Sequence, residues 1–275
     1  FNSVFGQDIG SVNVDLNYLP EELNSVGFYN SSIEIIIPTK FQKGILINSV
    51  FYSNFGMDYP SNEIINTSSL ETFKSVGYSL KYLNSINDKW SYEIIFSPTV
   101  SSNFESNLTF DDFVLNGGII FTRKNNGKKF QIGFLNNSSF GFNTPIPLVT
   151  YGSKWGDNIY YTIGFPITKI EYQINSKNKA NLYLKPKGFY ANLSDAIILN
   201  SSEVAEKATY KSIISGLNFT HTIDDFWKIA LDTGYQLTSD YDLVNSHKNS
   251  VYKFNTKNNF YIGLNLKFDL LKENN

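Results

Sequence analysis

Eleven ionisable side chains fall on one phase of a repeated apolar–polar alternation: Asp15, Glu34, Lys81, Glu93, Lys169, Glu171, Lys185, Lys187, Lys228, Asp232 and Lys267. Mixed charges on one shared face can line a passage or cavity for a polar solute, or pair off and fill it. Lys185 and Lys187, two apart and so on one face of a strand, would favour an anionic solute. Hydrolytic chemistry would need a nucleophile held beside a general base, and the chain has only two histidines. His221 falls beside Phe219 on the apolar phase and reads as an interfacial anchor, while His247 sits in a polar connection with Asp240 and Asp242. Two carboxylates are too few for Ca²⁺, which takes about six to eight oxygens. Gly117-Gly118 lacks the lysine and the helix of a phosphate loop and reads as a relief of strand curvature. No catalytic residue, metal ligand or cofactor is assigned, and no enzymatic activity is expected.

The elements that carry these residues are strands. From Phe260 to Phe268 the alternation is unbroken, with Phe260, Ile262, Leu264, Leu266 and Phe268 on one face and Tyr261, Gly263, Asn265 and Lys267 on the other. A strand of about 9 to 11 residues patterned this way suits a transmembrane β-barrel, one face in lipid and one in the lumen. The same pattern predicts strands over about 10–19, 30–40, 45–57, 68–83, 90–100, 107–123, 128–135, 146–153, 158–165, 168–174, 180–191, 207–222 and 227–239. In the third, Ile45, Ile47, Phe51 and Phe55 are expected outward and Asn48, Tyr52 and Asn54 inward. Breaking the chain at Pro166 makes about fourteen strands, with twelve and sixteen as alternatives. Connections near 42, 86, 126, 156, 177 and 224 are short and share one end; the others are mostly longer and share the opposite end. Bacterial outer-membrane barrels keep short turns in the periplasm, so both termini are expected there. Mixed charges with inward Tyr52, Tyr160, Tyr183, Phe189 and Tyr261 could largely fill a lumen of this width.

Composition agrees with that class. Of the 275 residues 16% are aromatic and 17% charged, rich in girdle-forming side chains and thin in surface charge. A water-soluble lipocalin-like barrel would alternate too, but its polar face would be densely charged. Here Asn, Ser, Thr, Gly and Tyr dominate that face. No apolar run reaches the ~18 residues of a membrane helix. The net charge of −2 supplies no basic stripe for nucleic acid, and with no cysteine there is no disulfide framework. Arg123 is the only arginine among many Asn, Lys, Ile, Tyr and Phe, the signature of A/T-rich codons, so single Asn and Lys residues carry little meaning. The chain starts at Phe1, as it would after removal of a secretory signal or if simply cut there.

Thr144-Pro145-Ile146-Pro147-Leu148, Lys154-Trp155, Ile163-Gly164-Phe165-Pro166 and Glu171-Tyr172-Gln173-Ile174 resemble a Bacteroidota family of outer-membrane β-barrel proteins of unknown function. Length and the lack of a linker-like stretch make residues 1–275 one barrel domain, and the resemblance implies the outer membrane of a Gram-negative bacterium. It brings no catalytic residue. Expected partners are outer-membrane lipid and lipopolysaccharide, with other outer-membrane proteins as a further class. Two functions follow: a narrow passive channel or binding vessel for a small polar or amphipathic solute, or a non-catalytic accessory subunit of a larger outer-membrane complex.

Overall fold

A computed structural model of the chain describes residues 10–20, 22–61, 63–199 and 203–270. Fifteen strands account for most of them: β1 (Ser11–Leu19), β2 (Gly27–Phe41), β3 (Gly44–Asp58), β4 (Thr72–Ser85), β5 (Trp90–Ser102), β6 (Phe113–Asn125), β7 (Lys128–Asn136), β8 (Ile146–Trp155), β9 (Ile159–Phe165), β10 (Thr168–Gln173), β11 (Asn178–Ile198), β12 (Val204–Thr222), β13 (Trp227–Val244), β14 (Ser250–Lys253) and β15 (Phe260–Asp269). The only helical pieces among the described residues are three single 3₁₀ turns, at Ser68–Leu70, Phe110–Asp112 and Ser138–Phe140.

From β1 to β13 each strand pairs antiparallel with the next. Then β15 closes the ring, pairing with β13 on one side and with β1 on the other, from Ser11↔Asp269 to Tyr18↔Ile262. The short β14 adds only to the far end of β13, opposite Asp242 and Leu243. The wall is therefore a closed antiparallel barrel of fourteen strands. The break at Pro166 is real: β9 and β10 form a hairpin, Thr162 opposite Lys169.

Local chemistry makes the short turns. Asn126 and Gly127 both have positive φ (48° and 76°), the twist a two-residue hairpin needs and one that Asn and Gly adopt readily. Asn87, Asn175 and Asp224 repeat one device: each side-chain Oδ1 accepts the backbone N–H groups two and three residues on, at 2.8–3.0 Å.

Outside, the wall is apolar. Leu16, Ile33, Ile35, Val76, Ile94, Phe96, Phe121, Ile132, Leu182, Leu217, Leu231 and Ile262 are all exposed on the outward phase. In β3 the expected phase is inverted. Tyr52 and Val50 are exposed, lying opposite outward Ile33 and Ile35, while Ile45 and Phe55 are buried and Phe51 faces the lumen. Both phases of β3 are apolar, so alternation alone could not orient it; the register with β2 does.

The interior changes character along the barrel axis. At the long-loop end it is a hydrophobic plug. Phe28, Phe55, Phe73, Phe189, Tyr210, Tyr241 and Phe254 are buried together with Leu70 and Leu193. Ring centroids lie 4.1 Å apart for Phe28 and Tyr210, 5.0 Å for Phe73 and Phe189, and 4.4 Å for Tyr241 and Phe254. Each such side chain contributes about 1.5–3 kcal/mol of burial.

A lid holds the plug down. With 21 and 19 residues, β11 and β12 outrun the wall, and their upper halves cross the mouth. Asn192 pairs in parallel with Ser102 of β5, six strands away around the ring. Gly188 and Gly141 permit the crossing: a Cβ on either would collide with the Tyr210 carbonyl. A polar seam fastens the lid. Ser101 and Ser102 hydroxyls donate to the Tyr190 and Asn192 carbonyls at 3.1 and 3.3 Å, and Asn192 Nδ2 donates to Asp112 Oδ1 at 2.8 Å.

Candidate functional site: the lumen

Below the plug lies a cavity of about 480 Å³, walled by β1 to β7 on one side and by Lys187–Tyr190 of β11 on the other. Four of the eleven candidate residues line it: Asp15, Glu34, Lys81 and Lys187. Most of the remaining polar wall is hydroxyl and amide, including Ser32, Ser53, Ser75, Ser79, Ser97, Thr99 and Asn116. Phe51, Phe55, Phe73 and Phe189 add an apolar wall. The cavity can thus hold a small molecule with both polar and apolar parts. Its volume lies within the usual range of small-molecule sites.

Three carboxylates toward the short-turn end hold five lysines. Glu93 pairs with Lys81 at 3.4 Å. Glu171 bridges Lys169 and Lys179 at 2.8 and 2.5 Å. Asp269 bridges Lys228 and Lys267 at 3.0 and 2.9 Å. The last bridge has a clear cause, because Lys228 and Lys267 stand directly opposite in register, an arrangement that repels without an intervening anion. Lys179 and Asp269 are missing from the sequence-derived set, since one opens a strand and the other ends the last one.

Midway up, Asp232 accepts hydrogen bonds from the Tyr183 and Tyr261 phenols at 2.5 and 3.2 Å, and the two hydroxyls also touch each other. The Lys185 ammonium lies 4.3 Å from the Tyr183 ring centre, and that of Lys187 lies 5.9 Å from the Tyr261 ring centre. Asp15 accepts from Asn265 Nδ2 at 2.8 Å. Among the described residues Lys187 has no carboxylate within the 4.0 Å of an ion pair.

The histidines stand apart from the lumen. His221 Nδ1 meets Asn178 Oδ1 at 2.7 Å on the outward phase, and exposed His247 is 3.4 Å from the Ser246 hydroxyl. Asp240 pairs with Lys253 at 2.6 Å and Asp242 accepts from Ser250 at 2.9 Å, so both loop acids serve to seat β14. No group of three or more metal-ligating side chains gathers among the described residues.

At the loop end, burial works against the charge of Asp112, but hydrogen bonds from the Thr109 amide, Asn192, Ser102 and the Thr109 hydroxyl outweigh it and hold the carboxyl below its ordinary value. Burial beside Tyr241 pushes the Tyr59 phenol well above its ordinary value. Tyr59 donates to the Leu70 carbonyl at 2.9 Å and lies 2.7 Å from the Tyr241 hydroxyl, tying the 58–72 loop to the plug.

Residues 42–269 match a family described as a domain of unknown function, DUF6268, and the chain belongs to that family. No curated protein matches the sequence. Similar solved structures include a NanC porin, 8% identical over 94% of this chain and 100% of that one with a TM-score of 0.43. A KdgM porin is 8% identical over 95% and 99% with a TM-score of 0.41. LpxR from Salmonella typhimurium is 5% identical over 94% and 100% with a TM-score of 0.43. Likeness at this level carries nothing about solute or activity.

Proposed function

We propose that this DUF6268 protein spans a bacterial outer membrane, short turns and termini on the periplasmic side, and admits a small polar or amphipathic solute to its lumen. The observation that carries the reading is the cavity of about 480 Å³ with its mixed hydroxyl, charged and aromatic wall. An apolar belt on every face of the wall supports placement in lipid, because fourteen strands leave no unpaired edge for the bilayer to solvate. Lipid and lipopolysaccharide would then be its immediate surroundings. The plug and lid make the loop end a closed gate, and no catalytic step is part of this function.

Planar-bilayer recording tests it. The native protein is expected to pass current rarely, and the Phe189→Ala/Tyr210→Ala variant to show stable conductance steps, because both rings leave the plug. Heat-modifiable gel mobility checks that the variant still folds. Silence from both proteins, with no solute uptake into vesicles, overturns the reading.

A further inference from the structure

The five paired lysines already described each have a carboxylate partner. Three more on the lumen phase do not. Lys124 of β6 stands directly opposite Lys129 of β7, and Lys154 lies two residues along β8 from Gly152, the partner of Lys129. Among the described residues none of the three has a carboxylate within 4.0 Å. Directly opposed like charges are unfavourable, and a sheet that keeps them at the turn end of the lumen, with Glu93 and Glu171 acting on Lys129 only from beyond ion-pair distance, leaves a positive potential there. The two neighbouring pairs of the barrel end show what neutralisation looks like, since Glu171 and Asp269 each sit between two lysines.

Phase decides what the potential acts on. Lys124 and Lys129 continue the row of Thr122 and Gln131, whose side chains hydrogen-bond to each other at 3.1 Å, while Phe121 and Phe130 point to the outside. Lipid phosphates would meet outward-phase residues such as Arg123, whose guanidinium lies 5.8 Å from the Trp90 ring. The three lysines face the lumen instead. Deeper in, Lys187 reaches the cavity wall; the acids that act on it, Asp15 and Asp232, hold hydrogen bonds from Asn265 and from the two phenols, while Glu34, on the β2 side of the same cavity, is not among the charges that act on it.

We propose that the lumen selects small amphipathic organic anions, gathered at the turn end by Lys124, Lys129 and Lys154 and met in the cavity by Lys187. This rests on the channel reading and names its solute class. The anionic group, carboxylate or phosphate, would lie against Lys187 and the apolar body against Phe51, Phe55 and Phe73. Clefts walled by one sign of charge raise the local concentration of the opposite ion, more strongly at low salt.

The test is the reversal potential of the Phe189→Ala/Tyr210→Ala protein across a KCl gradient in neutral phosphatidylcholine, where no lipid charge contributes. Chloride is expected to be preferred over potassium, and the preference to grow as salt falls. Adding Lys124→Gln/Lys129→Gln/Lys154→Gln should lower the permeability ratio by about threefold or more at low salt. Benzoate on one side should block the current, and Lys187→Met should weaken that block by about tenfold. Current without anion preference, or a triple variant with an unchanged ratio, overturns the inference and leaves the channel intact. Block by benzoate that survives Lys187→Met removes the cavity contact from it. Absence of current in every protein overturns the channel reading and the inference together.

Discussion

Replacing Leu231 with arginine puts the membrane assignment at its most exposed point. Leu231 is 57% exposed on the outward phase of β13, midway between two aromatic pairs. Trp227 packs on Phe268 at 4.8 Å toward the turns, and Tyr235 on Phe260 at 5.0 Å toward the loops. Eight residues separate Trp227 from Tyr235, about 27 Å along a strand and about 21 Å along the bilayer normal at a tilt of about 40°. That span approaches the ~25 Å apolar band of outer-membrane barrels and leaves Leu231 near its middle. Arginine there should cost about 2–4 kcal/mol, against about 0–1 kcal/mol at the interface, as for Phe226→Arg in the turn. The larger cost is a roughly 30- to 700-fold loss in the folding equilibrium. Asn218→Lys, opposite Asp232 on the lumen phase, should cost little. Guanidinium unfolding in phosphatidylcholine vesicles, followed by tryptophan fluorescence, reads all three. A Leu231→Arg protein as stable as its parent, or equally destabilised at Phe226, refutes the reasoning.

Three further outcomes follow from the lid and the closing strands. The depressed folded value of Asp112 means that its contribution is fully present above the ordinary carboxyl range near about 4 and disappears as pH falls through the lower folded value; pepsin should therefore cut the β11–β12 tip faster near pH 2 than near pH 4, and Asp112→Asn should flatten that difference. Asp269→Asn strips the anion from between Lys228 and Lys267 and should cost roughly 1.5–3 kcal/mol, with an unchanged unfolding midpoint as the contrary result. Oxidising a Ser102→Cys/Asn192→Cys protein should bridge the parallel pair and suppress whatever current the native protein passes, reversibly with reductant. Equal current in both redox states would show that the lid does not gate.

Alternation made the wall legible because its outer face and its lumen take opposite chemistries on successive residues. That contrast is sharpest in β15, where Ile262 is exposed and Tyr261 buried, and its boundaries were readable to within a residue. It fails where the interior is itself apolar. Phe51 and Phe55 of β3 face the same way as the plug, so hydrophobicity does not separate inside from outside there and alternation alone points the strand the wrong way. The plug was hidden for a related reason: its rings come from six strands and from Phe254, and no local period connects them. The strands expected over 180–191 and 207–222 run on to Ile198 and start at Val204, since alternation stops once β11 is buried on both faces from Phe189 to Leu193. Of the plug's rings, alternation expects only Phe189 inward. Among the charges, sequence placed Lys228 and Lys267 on a face but could not pair them, because the bridge through Asp269 depends on the register of β13 with β15, 41 residues apart, and Lys179, which pairs with Glu171 across one hairpin, stands at a strand start where alternation has not begun.

The seam between β1 and β15 has a consequence for assembly. Asn265 Nδ2 reaches the Val14 carbonyl across 251 positions of sequence, whereas the other neighbours in the wall lie a hairpin apart, apart from β13 and β15, which flank the β14 loop. Loop-closure entropy makes so remote a junction the last to form. Until it does, the two outermost strands present raw ladders of amide and carbonyl groups that hydrocarbon cannot satisfy. In the membrane proposed for it, a half-rolled sheet of this protein is therefore a poor resident, and insertion there should proceed against some other strand edge that stands in for the absent neighbour until the two closing strands meet.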